Sequence, residues 1–224
     1  IHLDSLTIPN FRENTCENTF TPTVCFKNLG DFSITNIEFT LKINGDTILN
    51  NTWTGSLAPN SSSSFTLPVL SGLSSGKNEI QVLASLGNSF NEYDYFNNST
   101  ILRFSIIKEI TTLPFIEGFE NGINDTTWII ENIDLDKTWG VDSTSGLPWS
   151  DQSACIKLFS YAPRSNQKDG LVTPKISLSS SNDLFLTFDI AYQKRSASGV
   201  LNDTLKVLVS NNCGLSYDYL IYEK

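Results

Sequence analysis

Across residues 36–43 apolar and polar side chains alternate without a break, Ile37, Phe39, Leu41 and Ile43 against Asn36, Glu38, Thr40 and Lys42. A helix turns about 100° per residue and would scatter those apolar groups around its surface, whereas a strand gathers them on one face. Asn44-Gly45 follows, two residues that accept the positive φ a tight hairpin needs, and Thr47-Ile48-Leu49 begins the return strand. No long window keeps a 3.6-residue apolar period, while period two recurs along the chain. The expected fold class is all-β.

Further strands are expected near residues 3–8, 22–28, 51–54, 63–70, 78–86 and 99–107, separated by Gly, Pro, Ser and Asn clusters. That density of short strands reads as an immunoglobulin-like β-sandwich over residues 1–110. Residues 111–224 repeat the grammar without repeating the sequence, with strands expected near 128–133, 155–160, 183–192, 203–210 and 217–222. Leu184, Leu186, Phe188 and Ile190 form one apolar face there, and Leu205, Val207 and Val209 another. The seam lies in residues 108–114, where Pro114 cannot continue an interior strand.

Composition removes whole classes of function. The chain carries 15 basic and 24 acidic residues, a net charge of −9, spread over both halves, so it offers no electrostatic footprint to nucleic acid or to anionic membrane. Its 1 histidine is His2, which rules out histidine-based nucleophilic triads and two-histidine zinc sites. The chain is therefore expected not to be an enzyme. No apolar run approaches the roughly 20 residues a membrane span needs, so no membrane insertion is expected. The chain lacks methionine altogether and opens directly into strand-like Ile1-His2-Leu3, the expectation being a piece cut from a longer exported polypeptide. Richness in Ser, Thr and Asn suits a secreted or outer-surface location.

The 4 cysteines, Cys16, Cys25, Cys155 and Cys213, allow three pairings and contain no C-x-x-C. One disulfide per half, Cys16–Cys25 and Cys155–Cys213, is the economical reading, with four buried free thiols as the alternative; disulfides would fit an oxidising compartment.

Two resemblances enter on particular residues. Val24-Cys25-Phe26-Lys27-Asn28-Leu29-Gly30, Ile43-Asn44-Gly45, Trp53-Thr54-Gly55-Ser56-Leu57, Gly76-Lys77-Asn78 and Asp94…Asn97-Asn98 occur in that order. The first half thereby resembles the cell-adhesion-related (CARDB-like) immunoglobulin-like modules of large secreted Bacteroidetes proteins. In the second half, Glu117-Gly118-Phe119-Glu120-Asn121-Gly122, Trp128, Asp134…Thr138-Trp139, Asp169-Gly170-Leu171-Val172-Thr173-Pro174, Leu186-Thr187-Phe188-Asp189-Ile190-Ala191-Tyr192 and Cys213-Gly214 appear in turn. That half looks like the MAM-like jelly roll known as the choice-of-anchor or cleaved-adhesin domain. The resemblance implies a jelly-roll β-sandwich that is C-terminally truncated here, since such domains run longer than this second half. It also implies company: other domains of the same parent polypeptide, among them an upstream metalloprotease or other catalytic unit.

The second resemblance places Glu120, Asp134, Asp136 and Asp169 in motifs where such jelly rolls hold a structural Ca²⁺. Ca²⁺ takes six to eight hard oxygens, and the Asp134-x-Asp136 loop supplies two carboxylates with neighbouring carbonyls. The alternative is that Asp134 and Asp136 are solvated loop carboxylates and Glu120 caps a turn by accepting backbone N–H bonds. Glu117 and Glu120 have the residue types of a glycosidase pair, but three residues apart around Gly-Phe they read better as a strand-entry turn. Trp53, Trp128 and Trp139 are expected in the core, and Trp149, in Gly146-Leu147-Pro148-Trp149-Ser150-Asp151, is the aromatic residue expected to contact a ligand.

The expected function is a non-catalytic modular part of a secreted or cell-surface bacterial protein, for adhesion, glycan or protein binding, or spacing. The alternative is an accessory region of an exported metalloprotease that positions or captures substrate.

Overall fold

The structure is a computed structural model that describes residues 1–9, 11–87, 92, 94–143, 150–158, 167–178, 183–192 and 203–224. The described residues contain no helix, and the chain divides into two compact units, Ile1–Ile106 and Ile107–Lys224.

The first unit holds β1 (His2–Thr7), β2 (Asn14–Thr15), β3 (Thr23–Lys27), β4 (Ile34–Ile43), β5 (Asp46–Leu57), β6 (Ser62–Thr66), β7 (Gly76–Leu86) and β8 (Ser99–Ile106). Its sheets have the orders β1-β3-β6 and β2-β8-β7-β4-β5. The alternation in β4 does what its period requires: Ile37, Phe39 and Leu41 are fully buried, and across the ladder they meet Leu86, Ala84 and Val82 of β7. Val24 and Phe26 of β3 face them from the other sheet, with the Phe26 ring 5.4 Å from both Phe39 and Trp53. Full burial of such side chains contributes roughly 1.5–3 kcal/mol each, which makes this inter-sheet layer the main source of stability in the unit. Asn44 (φ 51°) and Gly45 (φ 92°) close the β4–β5 hairpin, as their sequence demands.

One departure from strict alternation has a visible cause. Leu3, Leu6 and Ile8 are all buried although Leu3 and Leu6 differ in parity. The β1–β3 register shifts between Leu3 and Ser5, and a bulge of this kind inserts one residue and turns the following side chains to the opposite face.

The second unit contains β9 (Glu109–Ile110), β10 (Ile129–Asn132), β11 (Gly140–Asp142), β12 (Ser153–Cys155), β13 (Asp169–Val172), β14 (Lys175–Ile176), β15 (Lys206–Val209) and β16 (Tyr219–Glu223). Among the described residues these pair two by two, as β10-β13, β11-β12, β14-β9 and β15-β16. Trp128 is buried, its ring 5.1 Å from Phe119 and 6.2 Å from Phe115. Among the described residues, 183–192, where a strand is expected, pair with no other strand.

The disulfide pairing corrects the sequence reading. Cys25 and Cys155 are free thiols, and the disulfide-bonded cysteines are Cys16 and Cys213, so neither Cys16–Cys25 nor Cys155–Cys213 is present. The reason is local. Cys25 sits mid-strand between buried Val24 and Phe26, so its side chain points away from the core, with Ser5 and Ser64 as its cross-strand neighbours. Cys16 follows β2, on the edge of the other sheet. Cys155 lies opposite Gly140, whereas Cys213 occupies a positive-φ turn beyond β15. A disulfide needs Cβ atoms about 3.5–4.5 Å apart, and the cross-strand neighbours of Cys25 and Cys155 are Ser5, Ser64 and Gly140 rather than a cysteine.

Candidate functional site

Two oxygen-rich clusters lie in the second unit. The first is built on Glu120. Phe119 has φ 59° and Gly122 φ 83°, so residues 117–122 form a tight turn, closed by a hydrogen bond from Gly122 N to Phe119 O of 2.9 Å. The turn presents the Gly118 carbonyl and the Glu120 carboxylate to Ser150. The Ser150 hydroxyl oxygen lies 2.8 Å from Gly118 O, 2.7 Å from Glu120 Oε1 and 2.7 Å from Gln152 O. A serine hydroxyl has one hydrogen to donate. It satisfies one of the three acceptors and leaves the others as oxygen–oxygen contacts at hydrogen-bond distance. Asp151 N also donates to Glu120 Oε1, at 2.8 Å. The Ser150 hydroxyl, with the backbone N–H groups of Asp151 and Gln152, holds the Glu120 carboxyl below its ordinary range.

Glu117, three residues earlier, is engaged separately. Its Oε1 accepts from Phe119 N at 2.8 Å and its Oε2 from the Trp128 indole N–H at 3.0 Å. Both oxygens of Glu117 thus fix the turn and the buried indole.

The second cluster forms where β10 and β13 meet. Asn132 and Asp169 are direct cross-strand partners, so their side chains stand side by side on one face of the ladder. Beyond Asn132 the chain turns through Leu135 at φ 56°. Asn132 Nδ2 donates to Asp136 O at 2.9 Å, and Asp136 N donates to Asp134 Oδ1 at 3.0 Å. Gln167 Nε2 donates to Asp134 Oδ2, and the Trp139 indole N–H donates to Asp169 O at 3.2 Å. Among the described residues, Asn132 Oδ1, Asp169 Oδ1 and, next to Trp139 in the chain, Thr138 Oγ1 are buried without a hydrogen-bond partner. A buried acceptor with no donor costs about 1–3 kcal/mol, and two of these sit on adjacent paired residues. An amide oxygen, a hydroxyl and a carboxylate oxygen left without partners are all hard-oxygen donors of the type a Ca²⁺ ion accepts.

The four carboxylates singled out from the sequence therefore fall into two groups. Asp169 pairs with Asn132 across the ladder and Asp134 and Asp136 lie on the loop that follows Asn132, while Glu120 belongs with Ser150. Among the described residues, no group of three or more His, Cys, Asp and Glu side chains is assembled as a metal cage; the oxygens here come largely from amide, hydroxyl and main-chain groups. Sequence reasoning missed Ser150, Asn132 and Thr138. A signal for two of them was present, since Asn132, Asp134, Asp136 and Thr138 place an oxygen-bearing side chain at every second position. Trp149 lies outside the described residues.

Two other places hold a thiol and a cavity. Cys155 lies beside the Asp142–Lys157 ion pair; burial, and then the negative charge of Asp142, push its thiol up, which keeps it protonated and a poor nucleophile. In the first unit a cavity of about 350 Å³ is lined by Ile43, Ile48, Leu49, Val69 and Leu70, with no charged residue in its wall.

Among solved structures, the chain is similar to the CARDB domain of the PF1109 protein from Pyrococcus furiosus. The crystal structure of that domain, in complex with di-metal ions, is 22% identical over 47% of this chain and 90% of that one, with a TM-score of 0.38. Its solution structure is 23% identical over 46% of this chain and 92% of that one, with a TM-score of 0.37. A domain of a Methanosarcina acetivorans protein named for the cell surface is 23% identical over 47% of this chain and 91% of that one, with a TM-score of 0.35. No protein-family model matches the chain, and no curated protein matches it.

Proposed function

We propose that this chain is a non-catalytic pair of β modules from an exported, surface-exposed protein, serving adhesion or spacing, and that its second unit is pinned by Ca²⁺. The carrying observation is the Ser150 hydroxyl oxygen, within 2.8 Å of three acceptor oxygens while owning one proton. A cation among Gly118 O, Glu120 Oε1, Ser150 Oγ and Gln152 O converts that repulsion into ligation. The unpartnered oxygens of Asn132, Thr138 and Asp169 support a second position of the same kind, with Asp134 and Asp136 on its loop.

Ca²⁺ suits these residues better than softer metals, because every candidate ligand is a hard oxygen. Its role here is to tie the turn at 117–122 to the strand edge at Ser150, and the loop after Asn132 to the start of β13. Both ties hold long connections in place, which is what an extracellular module needs when its ladders are short. An extracellular glycan or protein is the partner class that suits such a module.

Equilibrium titration of the EDTA-stripped chain with Ca²⁺ by calorimetry tests the reading. Saturable binding is expected, with one class of site lost in Glu120→Gln and another in Asp169→Asn. The absence of any binding up to millimolar Ca²⁺ would refute it.

A further inference from the structure

We propose that Asn124 is the attachment point of an N-linked glycan. Attachment presupposes the exported location proposed above, whereas the competence of the folded chain to be modified, tested below on purified protein, does not.

Asn-x-Ser/Thr, the sequence that N-linked glycosylation requires, occurs at Asn50, Asn60, Asn97, Asn98, Asn124 and Asn202. Asn202 lies outside the described residues, and the fold separates the other positions. Asn98 is 6% exposed, and Asn97 Nδ2 donates to Asp94 Oδ2 at 3.1 Å, so neither amide is presented to a transferase. Asn50 and Asn60 are exposed, but among the described residues no hydrogen bond joins either side chain to the hydroxyl two residues on. Asn50 Oδ1 accepts instead from the Thr40 hydroxyl of the neighbouring strand, at 2.9 Å.

Asn124 is exposed, and its amide meets the hydroxyl of its own motif. Asn124 Oδ1 accepts from Thr126 N at 2.9 Å and from the Thr126 hydroxyl at 2.8 Å. The main-chain oxygen of Asn124 accepts from Thr127 N at 3.0 Å and from Trp128 N at 2.8 Å, and Trp128 is buried. The turn is thus anchored below while the side-chain amide stands at the surface, and among the described residues Asn124 Nδ2 has no partner.

That arrangement bears on the chemistry. An amide nitrogen is a poor nucleophile because its lone pair is delocalised onto the oxygen. Two donors fixed on Oδ1 stabilise the negative charge that collects there when Nδ2 loses a proton. With that proton passed to a base of the transferase, Nδ2 attacks the anomeric carbon of a diphosphate-activated sugar. The N–C bond forms as the C–O bond to the diphosphate breaks, and the diphosphate leaves with the electron pair.

The folded full chain and, in parallel, its proteolytic peptides are incubated with a purified oligosaccharyltransferase that reads Asn-x-Ser/Thr and a polyprenyl-diphosphate oligosaccharide, and the modified asparagines are located by mass spectrometry. In the folded chain Asn124 is expected to be modified about fivefold faster than Asn50 or Asn60, the worth of one hydrogen bond. Asn97 and Asn98 are expected to be modified only in the peptides, and Asn124→Gln to remove the fast phase. A folded chain spared at Asn124, or modified as fast at Asn50 or Asn60, overturns the proposal. So does modification of neither chain nor peptides.

Discussion

Asn28 gives the sharpest stability test of the first unit. Its side chain is 1% exposed, and Nδ2 donates to Phe32 O at 2.8 Å and to Leu57 O at 2.9 Å, while Oδ1 accepts from Gly30 N at 2.9 Å. One amide thus ties the end of β3, the following turn and the end of β5. Asn28→Ala removes three hydrogen bonds, each a net contribution of about 1 kcal/mol, and strands two carbonyls and an N–H, so a loss of about 3 kcal/mol is expected. Asn28→Asp keeps the acceptor for Gly30 but turns a carboxylate towards two carbonyl oxygens. It should cost more than alanine at pH 7 and recover part of the loss in acid, when a protonated carboxyl regains one donor. Urea unfolding followed by circular dichroism, fitted to two transitions, reads both changes. Alanine costing under about 0.5 kcal/mol, or an aspartate variant as stable as wild type at pH 7, would refute this assignment of the clamp.

Two further outcomes follow from the cysteines and from Glu120. Alkylation under native, non-reducing conditions should label Cys25 and Cys155 and spare Cys16 and Cys213, with Cys155 the slower of the two because its thiol is pushed up; peptide mass spectrometry showing Cys25 or Cys155 in a disulfide would contradict the assignment. In EDTA, the lowered Glu120 pKa stabilises the fold fully above the ordinary 4.5, and that contribution is lost as pH falls through the folded-state pKa. Glu120→Gln should therefore flatten the acid limb of the melting-temperature profile, and an unchanged limb would speak against the Ser150 contact.

What could be read from the sequence was whatever depends on period and turn chemistry. The alternation of Ile37, Phe39 and Leu41 and the Asn44-Gly45 turn determine β4 and its hairpin almost alone, because a buried face and a positive-φ turn leave one register. The cysteine pairing was not readable, since which face Cys25 takes depends on its parity with Val24 and Phe26 and on which sheet each strand joins. The same limit separated Glu120 from Asp134, Asp136 and Asp169. All four are acidic loop or strand-end residues in the sequence, and only the pairing of Asn132 with Asp169 and the approach of Ser150 to Gly118 sort them into two clusters. The strand expected over 183–192 is a case of the opposite kind. Its pattern is right for a strand, but a strand needs a neighbour, and among the described residues no ladder partner lies beside it.

Differential scanning calorimetry of the full chain, with Ca²⁺ in excess and with EDTA, tests whether Ca²⁺ pins the second unit. A ligand bound only by the folded state stabilises it by about 2.7 kcal/mol at a hundredfold excess over its Kd. The transition of the second unit is expected to move several degrees higher with Ca²⁺, while that of the first, whose core rests on Phe26, Phe39 and Leu41, stays in place. Identical traces in Ca²⁺ and EDTA would contradict it.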